Sequence, residues 1–314
     1  MLDIFYWNGE LQRCGTEHLP AVRHRRLWID ATAITKEEAE LLTKLFRLHT
    51  VTTHDLFLES VRVKVEEFPN YMICTFYGAD IEDDKINITP LDFVFGHNFI
   101  ITTHQKPIKN YETLKKEEET LKTLFIKGVP FLFHRLLDDE ITNFVPVLGA
   151  IEDEIEKIDE GVAIKANSEL LNRILNIKKK IVEIKKITFP QREHMSFLAR
   201  RKYKFIPEHS QPYFRDVYDN TIWVSDVMET QRESIGTAFE VYMTSINNHM
   251  SEVMKVLSVI ATIALPMTVI SGIYGTNFLK LPGAKTANGF WIMMGLMGIM
   301  MIGMIIFFKK RKWF

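Results

Sequence analysis

The fold class is decided by residues 252–278, which read EVMKVLSVIATIALPMTVISGIYGTNF. An uncharged run extends from residue 256 to residue 279, and a second one extends from 286 to 308. The hydrocarbon core of a bilayer requires about 20 apolar residues of helix. The two runs therefore predict a transmembrane hairpin. A buried helical hairpin in a soluble protein is the alternative that hydropathy leaves open.

The composition of the chain excludes several classes of protein. Of its 314 residues, 46% are hydrophobic and 25% are charged, with a formal net charge of −1. Glu252 is the only acid after Ser251, so the basic tail leaves the upstream part negatively charged. We therefore expect neither a disordered chain nor a basic nucleic-acid-binding protein, and no nucleic-acid partner. The isolated Cys14 and Cys74 argue against a disulfide scaffold and favour a reducing, cytosolic environment.

The distribution of basic residues predicts the orientation in the membrane. A basic cluster lies at the end of the chain and outnumbers the two lysines between the apolar runs, Lys280 and Lys285; its members are Lys309, Lys310, Arg311 and Lys312. The positive-inside rule then puts both termini in the cytosol. Residues 1–8 contain no basic region before an apolar run, so we expect no signal peptide. The sequence predicts a multi-pass protein of the plasma (inner) membrane.

Upstream of the apolar runs, the pattern predicts an α+β domain followed by long helices. Residues 36–48 form an amphipathic helix behind the cap candidate Thr35. Strands are predicted at 61–68, 71–77, 86–95 and 99–103, with a turn at 80–84. Helices are predicted at 111–126, 130–160, 167–188 and 193–204, with breaks at Pro190 and Pro207.

A further helix is predicted from residue 213 to residue 274, running directly into the first apolar stretch. At 1.5 Å per residue it would be about 90 Å long, far more than a membrane's thickness. A helix of this length needs neighbours to cover it. We therefore expect a stalk within an oligomer.

One face of the first apolar helix is small or hydroxyl-bearing, and the opposite face is branched. At 100° per residue, the residues opposite the first face are Val256, Val259, Ile260, Ile263, Met267 and Ile270. The residues of the first face are Ser251, Met254, Leu257, Ala261, Leu265, Thr268 and Gly272. Small residues can allow membrane helices to pack closely, or they can line a water-accessible pore formed by copies of the same helix. Both interpretations remain open at this point.

The sequence resembles the CorA divalent-cation channels in five collinear regions. Residues 274–277, Tyr-Gly-Thr-Asn, are similar to that family's Tyr-Gly-Met-Asn signature, which follows its first membrane helix. The ending FFKKRKWF, residues 307–314, resembles the family's basic, tryptophan-containing C-terminus. Residues 213–219, YFRDVYD, resemble its stalk, and the order continues through residues 54–56 and 63–66.

The resemblance implies a homopentameric funnel that moves Mg²⁺ passively across the plasma membrane, with Co²⁺ and Ni²⁺ as further ions. The partners it implies are copies of the same chain and the lipid bilayer. The expected organisation is a cytoplasmic α/β domain at 1–128, a helical hairpin at 129–210, a stalk at 211–255, a pore-lining membrane helix at 256–275, an external loop at 276–289, a second membrane helix at 290–308 and a basic cytoplasmic C-terminus at 309–314.

The resemblance also assigns roles to individual residues. Asn277, with Gly275 and Thr276, would form the entrance ring, where side-chain carbonyls meet the waters of hydrated Mg²⁺. The small face would line the pore and close by dewetting. Asp55 and Asp216 would bind a regulatory Mg²⁺ between subunits, so that low internal Mg²⁺ opens the channel. The basic C-terminal residues would form a ring.

Two departures from the family pattern leave the ion open. Thr276 stands in place of the signature methionine, and Lys280 and Lys285 lie in a loop that is often acidic in the family. A ZntB-like Zn²⁺ transporter of the same superfamily is therefore one alternative. A non-conducting, membrane-tethered scaffold or sensor is another. The sequence contains no catalytic fingerprint such as a P-loop or HExxH, so we expect no enzyme.

Overall fold

The computed structural model describes residues 1–57, 62–82, 85–164, 166–276, 281–283, 286–311 and 313. The chain forms two compact units. The first unit comprises Met1–Gly161 and Ser168–Ala238, and the second comprises Val162–Asn167 and Phe239–Phe314. The predicted Asn277, Lys280, Lys285 and Lys312 lie outside the described residues.

The first unit contains a seven-stranded mixed sheet of order β2-β1-β3-β7-β6-β5-β4. The strands are β1 Leu2–Trp7, β2 Leu11–Cys14, β3 Arg26–Thr32, β4 Lys64–Glu67, β5 Met72–Glu82, β6 Lys85–Phe95 and β7 Phe99–His104. β3 and β7 pair in parallel, and every other neighbouring pair is antiparallel. The expected α+β character of this part of the chain is confirmed.

The sheet separates two hydrophobic clusters because side chains alternate along each strand. On β3, Trp28 belongs to one cluster, whereas Leu27 and Ile29 belong to the other. Both clusters also receive helical residues: Phe133 packs in the first and Leu42 in the second. The sheet is therefore covered on both faces. A sheet with one face in solvent would carry apolar side chains on the other face only.

The strand predictions were correct in part. The four strands of the meander are present, but the turn predicted at 80–84 is too wide. Asp80 pairs with Asn87 and Glu82 pairs with Lys85, so the two strands extend to these residues, and residues 83 and 84 lie outside the described part of the chain. The hairpin hydrogen bonds persist there because they join backbone groups and do not require apolar side chains. The first three strands were not predicted.

Most helices before residue 168 are short, and the two longest helices follow; the second of these continues into the second unit. The helix bounds are α1 Leu19–Val22, α2 Lys36–Phe46, α3 Thr50–Phe57, α4 Lys109–Lys116, α5 Glu118–Lys127, α6 Val129–Thr142, α7 Phe144–Ile164, α8 Ser168–Arg200 and α9 Gln211–Tyr274. The Thr35 cap is confirmed as a full capping box with Glu38. The helix ends two residues earlier than predicted because Arg47 adopts a left-handed conformation (φ 54°).

Several predicted helix boundaries were wrong. The helix predicted at 130–160 is divided at Asn143, because Pro146 in the first turn of α7 lacks the N–H needed to continue α6. The predicted break at Pro190 does not exist, and α8 continues through it. Thr188 and Gln191 are buried on either side, and the Gln191 side chain accepts a hydrogen bond from the Tyr77 N–H at 2.6 Å. Tertiary packing therefore holds the helix together at this proline.

The long helix predicted over 213–274 is confirmed. α9 contains 64 residues and is not interrupted at Pro266, and its C-terminal part belongs to the second unit. The second apolar helix, α10, extends over Gly289–Lys310. Among the described residues, these two helices are long and apolar enough to cross a membrane.

In the second unit, the less exposed side chains of each apolar helix share one face. On α9 they include Val259, Ile263 and Ile270 from the branched face of the sequence analysis, whereas Val256 and Ile260 from that face are exposed. On α10 they recur at intervals of three or four residues, at Met293, Met297, Met300, Met304 and Phe308. We call the face of α9 that carries Val259, Ile263 and Ile270 the packed face of α9. Methionine suits such a contact because its flexible thioether fills irregular gaps.

Candidate functional site

The face predicted to line a pore is exposed along its whole length. Its members on α9 are Ser251, Met254, Leu257, Ala261, Leu265, Thr268 and Gly272, and each is classed as exposed. Leu265 is 68% exposed, whereas Val259 on the packed face is 1% exposed. Ile260, outside the predicted pore face, is 59% exposed. Exposure in one chain therefore separates the pore face from the packed face, but not from a lipid-facing surface.

The hydroxyl groups of the pore face are satisfied within their own helix. Thr268 Oγ1 donates to the Ala264 carbonyl at 2.9 Å, and Ser251 Oγ donates to the Asn247 carbonyl at 2.8 Å. A hydroxyl has one proton and two lone pairs, so its acceptor capacity remains available. Such a group can lie in an apolar helix and still offer an oxygen to water or to a hydrated cation.

The signature segment begins where α9 ends. The N–H of Gly275 donates to the Ser271 carbonyl at 2.8 Å, and Thr276 Oγ1 donates to the Ile273 carbonyl at 2.7 Å. The Tyr274 hydroxyl donates to the Pro282 carbonyl at 3.1 Å. These bonds satisfy carbonyls of the last turn and fix the direction in which the chain leaves the helix.

The described part of the basic C-terminal cluster lies at the end of α10. Lys309, Lys310 and Arg311 are exposed. Positive side chains at a helix C-terminus are stabilised by the helix dipole. Aromatic rings lie beside two of the charges at this end of the second unit: Arg311 is 5.9 Å from the Phe307 centroid, and Lys255 Nζ is 5.8 Å from the Trp313 centroid.

The two predicted regulatory acids lie on separate elements of the first unit. Asp55, on α3, is half-buried and forms an ion pair with Lys64 on β4. Asp216, on α9, is exposed. Asp55 is therefore already neutralised within its own chain, whereas Asp216 presents its carboxylate at the surface.

Sequence reasoning missed two polar side chains on α6. His134 Nε2 and Asp138 Oδ1 are buried and have no hydrogen-bond partner among the described residues. Burial lowers the pKa of His134, and the negative charges of Asp138 and Asp216 oppose that shift. The His134 ring lies against Tyr213 at 5.3 Å and Phe214 at 5.9 Å. The spacing of four residues on one helix is the signal that could have brought the pair to attention.

A cluster of acids elsewhere in the first unit has a structural explanation. Carboxylate oxygens of Asp3, Asp30 and Glu112 lie within 4.8 Å of one another. The Lys115 ammonium contacts all three, at 2.8, 2.7 and 2.6 Å respectively. Burial alone would lower the pKa of Lys115, but these carboxylates outweigh burial and raise it. An ammonium group thus occupies the position that a cation would take.

The chain is similar to known proteins over nearly its full length. The family model described as "CorA-like Mg2+ transporter protein" matches residues 25–310. The cobalt/magnesium transport protein CorA of Thermotoga maritima is 30% identical over 290 residues, covering 91% of this chain and 83% of the relative. The protein of the same name from Methanocaldococcus jannaschii is 28% identical over 294 residues, covering 92% of each chain.

Solved structures agree with these sequence matches. The complete structure of the CorA magnesium transporter from Methanocaldococcus jannaschii has a TM-score of 0.88 at 24% identity, covering 100% of this chain and 99% of that chain. The ZntB cytoplasmic domain from Vibrio parahaemolyticus has a TM-score of 0.66 at 12% identity, covering 78% of this chain and 98% of that domain. At these identities the likeness concerns the fold.

Proposed function

This chain belongs to the CorA-like Mg²⁺ transporter family, and we propose that it conducts Mg²⁺ passively across a membrane, with Co²⁺ as a second ion. The observation that carries the proposal is the family match over residues 25–310, which includes both apolar helices. The relatives are named for cobalt and magnesium transport. The protein is accordingly a transporter and not an enzyme.

The functional form we propose is a homopentamer in the plasma (inner) membrane with both termini in the cytosol. The pore face of α9 is apolar and exposed in the single chain, so further copies of the helix can cover it. The basic residues at the end of α10 support a cytosolic C-terminus.

In this assembly, hydrated Mg²⁺ would meet a ring of Gly275, Thr276 and Asn277 and then pass along the pore face. Mg²⁺ releases its waters reluctantly, so neutral oxygen ligands that bind those waters suit it better than a charged cage. The hydroxyl of Thr268 offers acceptor lone pairs farther along the same face. The side chains of Leu257 and Leu265 would exclude water in the closed state.

Opening would depend on internal Mg²⁺ bound by Asp216 of one subunit and Asp55 of the next. Carboxylates brought together repel one another, and a bound cation removes that repulsion and favours the closed state. The ion pair between Asp55 and Lys64 must be shared or displaced, which makes the site weak. His134 and Asp138 support a polar environment around Asp216, because their unpartnered atoms lie on the neighbouring helix.

The gating proposal predicts a specific loss of Mg²⁺ protection. Mg²⁺ should slow proteolysis of the wild-type protein in detergent but not that of the Asp55→Ala, Asp216→Ala double variant. Asp219→Ala removes another exposed acid from the same turn region of α9 and serves as the matched control. Equal protection of wild type and double variant would show that these residues are not the sensor.

The transported ion is tested directly in liposomes. Purified wild-type protein should admit Mg²⁺ and Co²⁺ down a gradient, measured with an encapsulated fluorescent indicator for each ion. Because Thr276 replaces the signature methionine, a Zn²⁺ transporter is the alternative; it predicts faster entry of Zn²⁺ than of Mg²⁺, with Ni²⁺ as a further comparison. Absence of flux for all four ions would support the non-conducting scaffold instead.

A further inference from the structure

The end of the chain folds back beside its own helix. The N–H of Trp313 donates to the Phe308 carbonyl at 3.1 Å, and the two rings lie 5.5 Å apart. Phe308 is 8% exposed, which makes it the most buried described residue of α10. Trp313 is therefore held in a defined position by both its backbone and its ring.

The Trp313 ring lies against a lysine at the beginning of the uncharged run of α9. Lys255 Nζ is 5.8 Å from the ring centroid, within the range of a cation–π contact. Lys255 lies between Met254 and Leu257 of the pore face in sequence. At 100° per residue it is about 40° from Val259 on the packed face and about 100° from Met254. It is also about 40° from Ser251, so Lys255 lies at the boundary between the pore face and the packed face.

The long, flexible side chain of Lys255 could reach the pore face. A lysine side chain carries its ammonium group on a flexible four-carbon chain, well away from the helix axis. In a symmetric oligomer, one such movement is repeated in every subunit. A ring of ammonium groups at this level would repel a divalent cation twice as strongly as a monovalent one.

We propose that Trp313 is a positioning residue for conduction, whose ring holds the Lys255 ammonium on the packed side of α9 and away from the ion path. The inference rests on the proposed function, because it assumes that the pore face conducts. The aromatic ring favours the charged lysine through its electron-rich face and leaves the net charge of the chain unchanged. Trp313 thus acts through Lys255 and does not contact the ion.

The experiment is a double-variant cycle in liposomes. Trp313→Ala should lower the rate of Mg²⁺ entry several-fold, and Trp313→Phe should keep most of it because phenylalanine retains a π face. Lys255→Met alone should not lower the rate. The combination of Trp313→Ala with Lys255→Met should restore the rate to that of Lys255→Met. Phe307→Ala, which removes the ring beside Arg311 at the same helix end, should leave the rate unchanged.

Two outcomes would overturn the inference. If Trp313→Ala conducts like wild type, the ring does not position anything that matters for flux. If the double variant conducts as poorly as Trp313→Ala, Trp313 acts through packing on Phe308 and not through the lysine charge.

A second measurement separates this inference from the proposed function. Acetylation of Lys255 by a water-soluble ester, quantified by mass spectrometry, should be faster in Trp313→Ala than in wild type. Equal rates would contradict the contact itself. If wild-type protein conducts no ion at all, the proposed function fails, and the labelling rates still decide whether Trp313 holds Lys255.

Discussion

The two units of this chain satisfy their side chains in opposite ways. In the first unit, large aromatic residues such as Trp28 and Phe133 are fully buried, and the buried Asp30 is paired with Lys115 on another element. In the second unit, Leu265 is 68% exposed, Trp291 is 72% exposed and Ile299 is 74% exposed. The first unit is completed by its own residues. The second is completed only by an apolar solvent or by further copies of itself.

The polar groups show the same contrast. In the first unit, Trp28 Nε1 donates to Thr102 Oγ1, and Thr102 Oγ1 donates to Asp30 on a neighbouring strand. In the second unit, the hydroxyls of Thr262 and Thr268 donate to carbonyls four residues earlier in their own helix. Bonds within one helix do not depend on a folded core, which suits a segment surrounded by lipid.

The largest effect is expected from a substitution in the second unit, at the proposed entrance ring that copies of the chain would form together. Asn277→Ala should abolish Mg²⁺ flux, because each subunit would lose the side-chain carbonyl that we propose accepts hydrogen bonds from the waters of the hydrated ion. The oligomeric state of the protein and the melting temperature of the first unit should be unchanged. Liposome flux, light scattering and circular dichroism check these points. Asn288→Ala, in the same loop, is the control, and residual flux equal to wild type would reject the assigned role.

The next prediction concerns the ion pairs that Lys115 forms inside the first unit. Lys115→Met removes the ammonium that Asp3, Asp30 and Glu112 share. Arg13 still pairs with Asp3 and His104 with Asp30, but the cluster loses the cation that contacts all three acids. Losing one partner of a buried ion pair costs about 3–5 kcal/mol, so the free energy of unfolding should fall by that amount. Chemical denaturation of the full chain in detergent measures it. The exposed neighbour Lys116→Met should be neutral, and equal stability of both variants would contradict the pairing argument.

The sequence predicted the parts of the fold that depend on local pattern. The Thr35 cap and the long helix over 213–274 both follow from residues close in sequence. β3, in contrast, was missed because it is buried on both faces and shows no alternation. The break wrongly placed at Pro190 illustrates the reverse case, where packing overrides a local rule.

The sites divide in the same way. The face predicted to line a pore could be proposed from helical periodicity, because all its members lie on one helix. The Lys115 cluster could not, because its acids come from β1, β3 and α4, which only the folded sheet brings together. His134 and Asp138 are four residues apart, but their significance depends on burial, which the sequence does not contain.

A third prediction tests a buried acid of the first unit by pH. Burial, together with the charges of Asp139 and Asp80, raises the pKa of Glu140 from 4.5 to about 8. Folding therefore takes up a proton, and the stability present below pH 4.5 is lost as the pH rises through 8. Glu140→Gln keeps a neutral side chain, so it should be more stable than wild type at pH 8 and above.

The expected gain of Glu140→Gln at pH 8 is on the order of 2–4 kcal/mol, since one pKa unit corresponds to about 1.4 kcal/mol. Denaturation of the full chain between pH 5 and pH 9 measures the dependence. The exposed Glu118→Gln on α5 is the control and should follow the wild-type curve. Parallel curves for Glu140→Gln and wild type would mean that Glu140 is ionised in the folded protein.

The smallest effect is expected within the second unit, where burial does not distinguish pore from lipid. Cysteines at Ala261 and Thr268 should react several-fold faster with a charged thiol reagent than cysteines at Ile260 and Ile263, in a background without Cys14 and Cys74. The thiolate is the reactive species, and it forms in water but not in hydrocarbon. Ile260 is 59% exposed in the single chain, so a slow rate there must come from lipid or from a neighbouring subunit. Equal rates on both faces would mean that the small face of α9 serves helix packing, and the conduction path would then lie elsewhere.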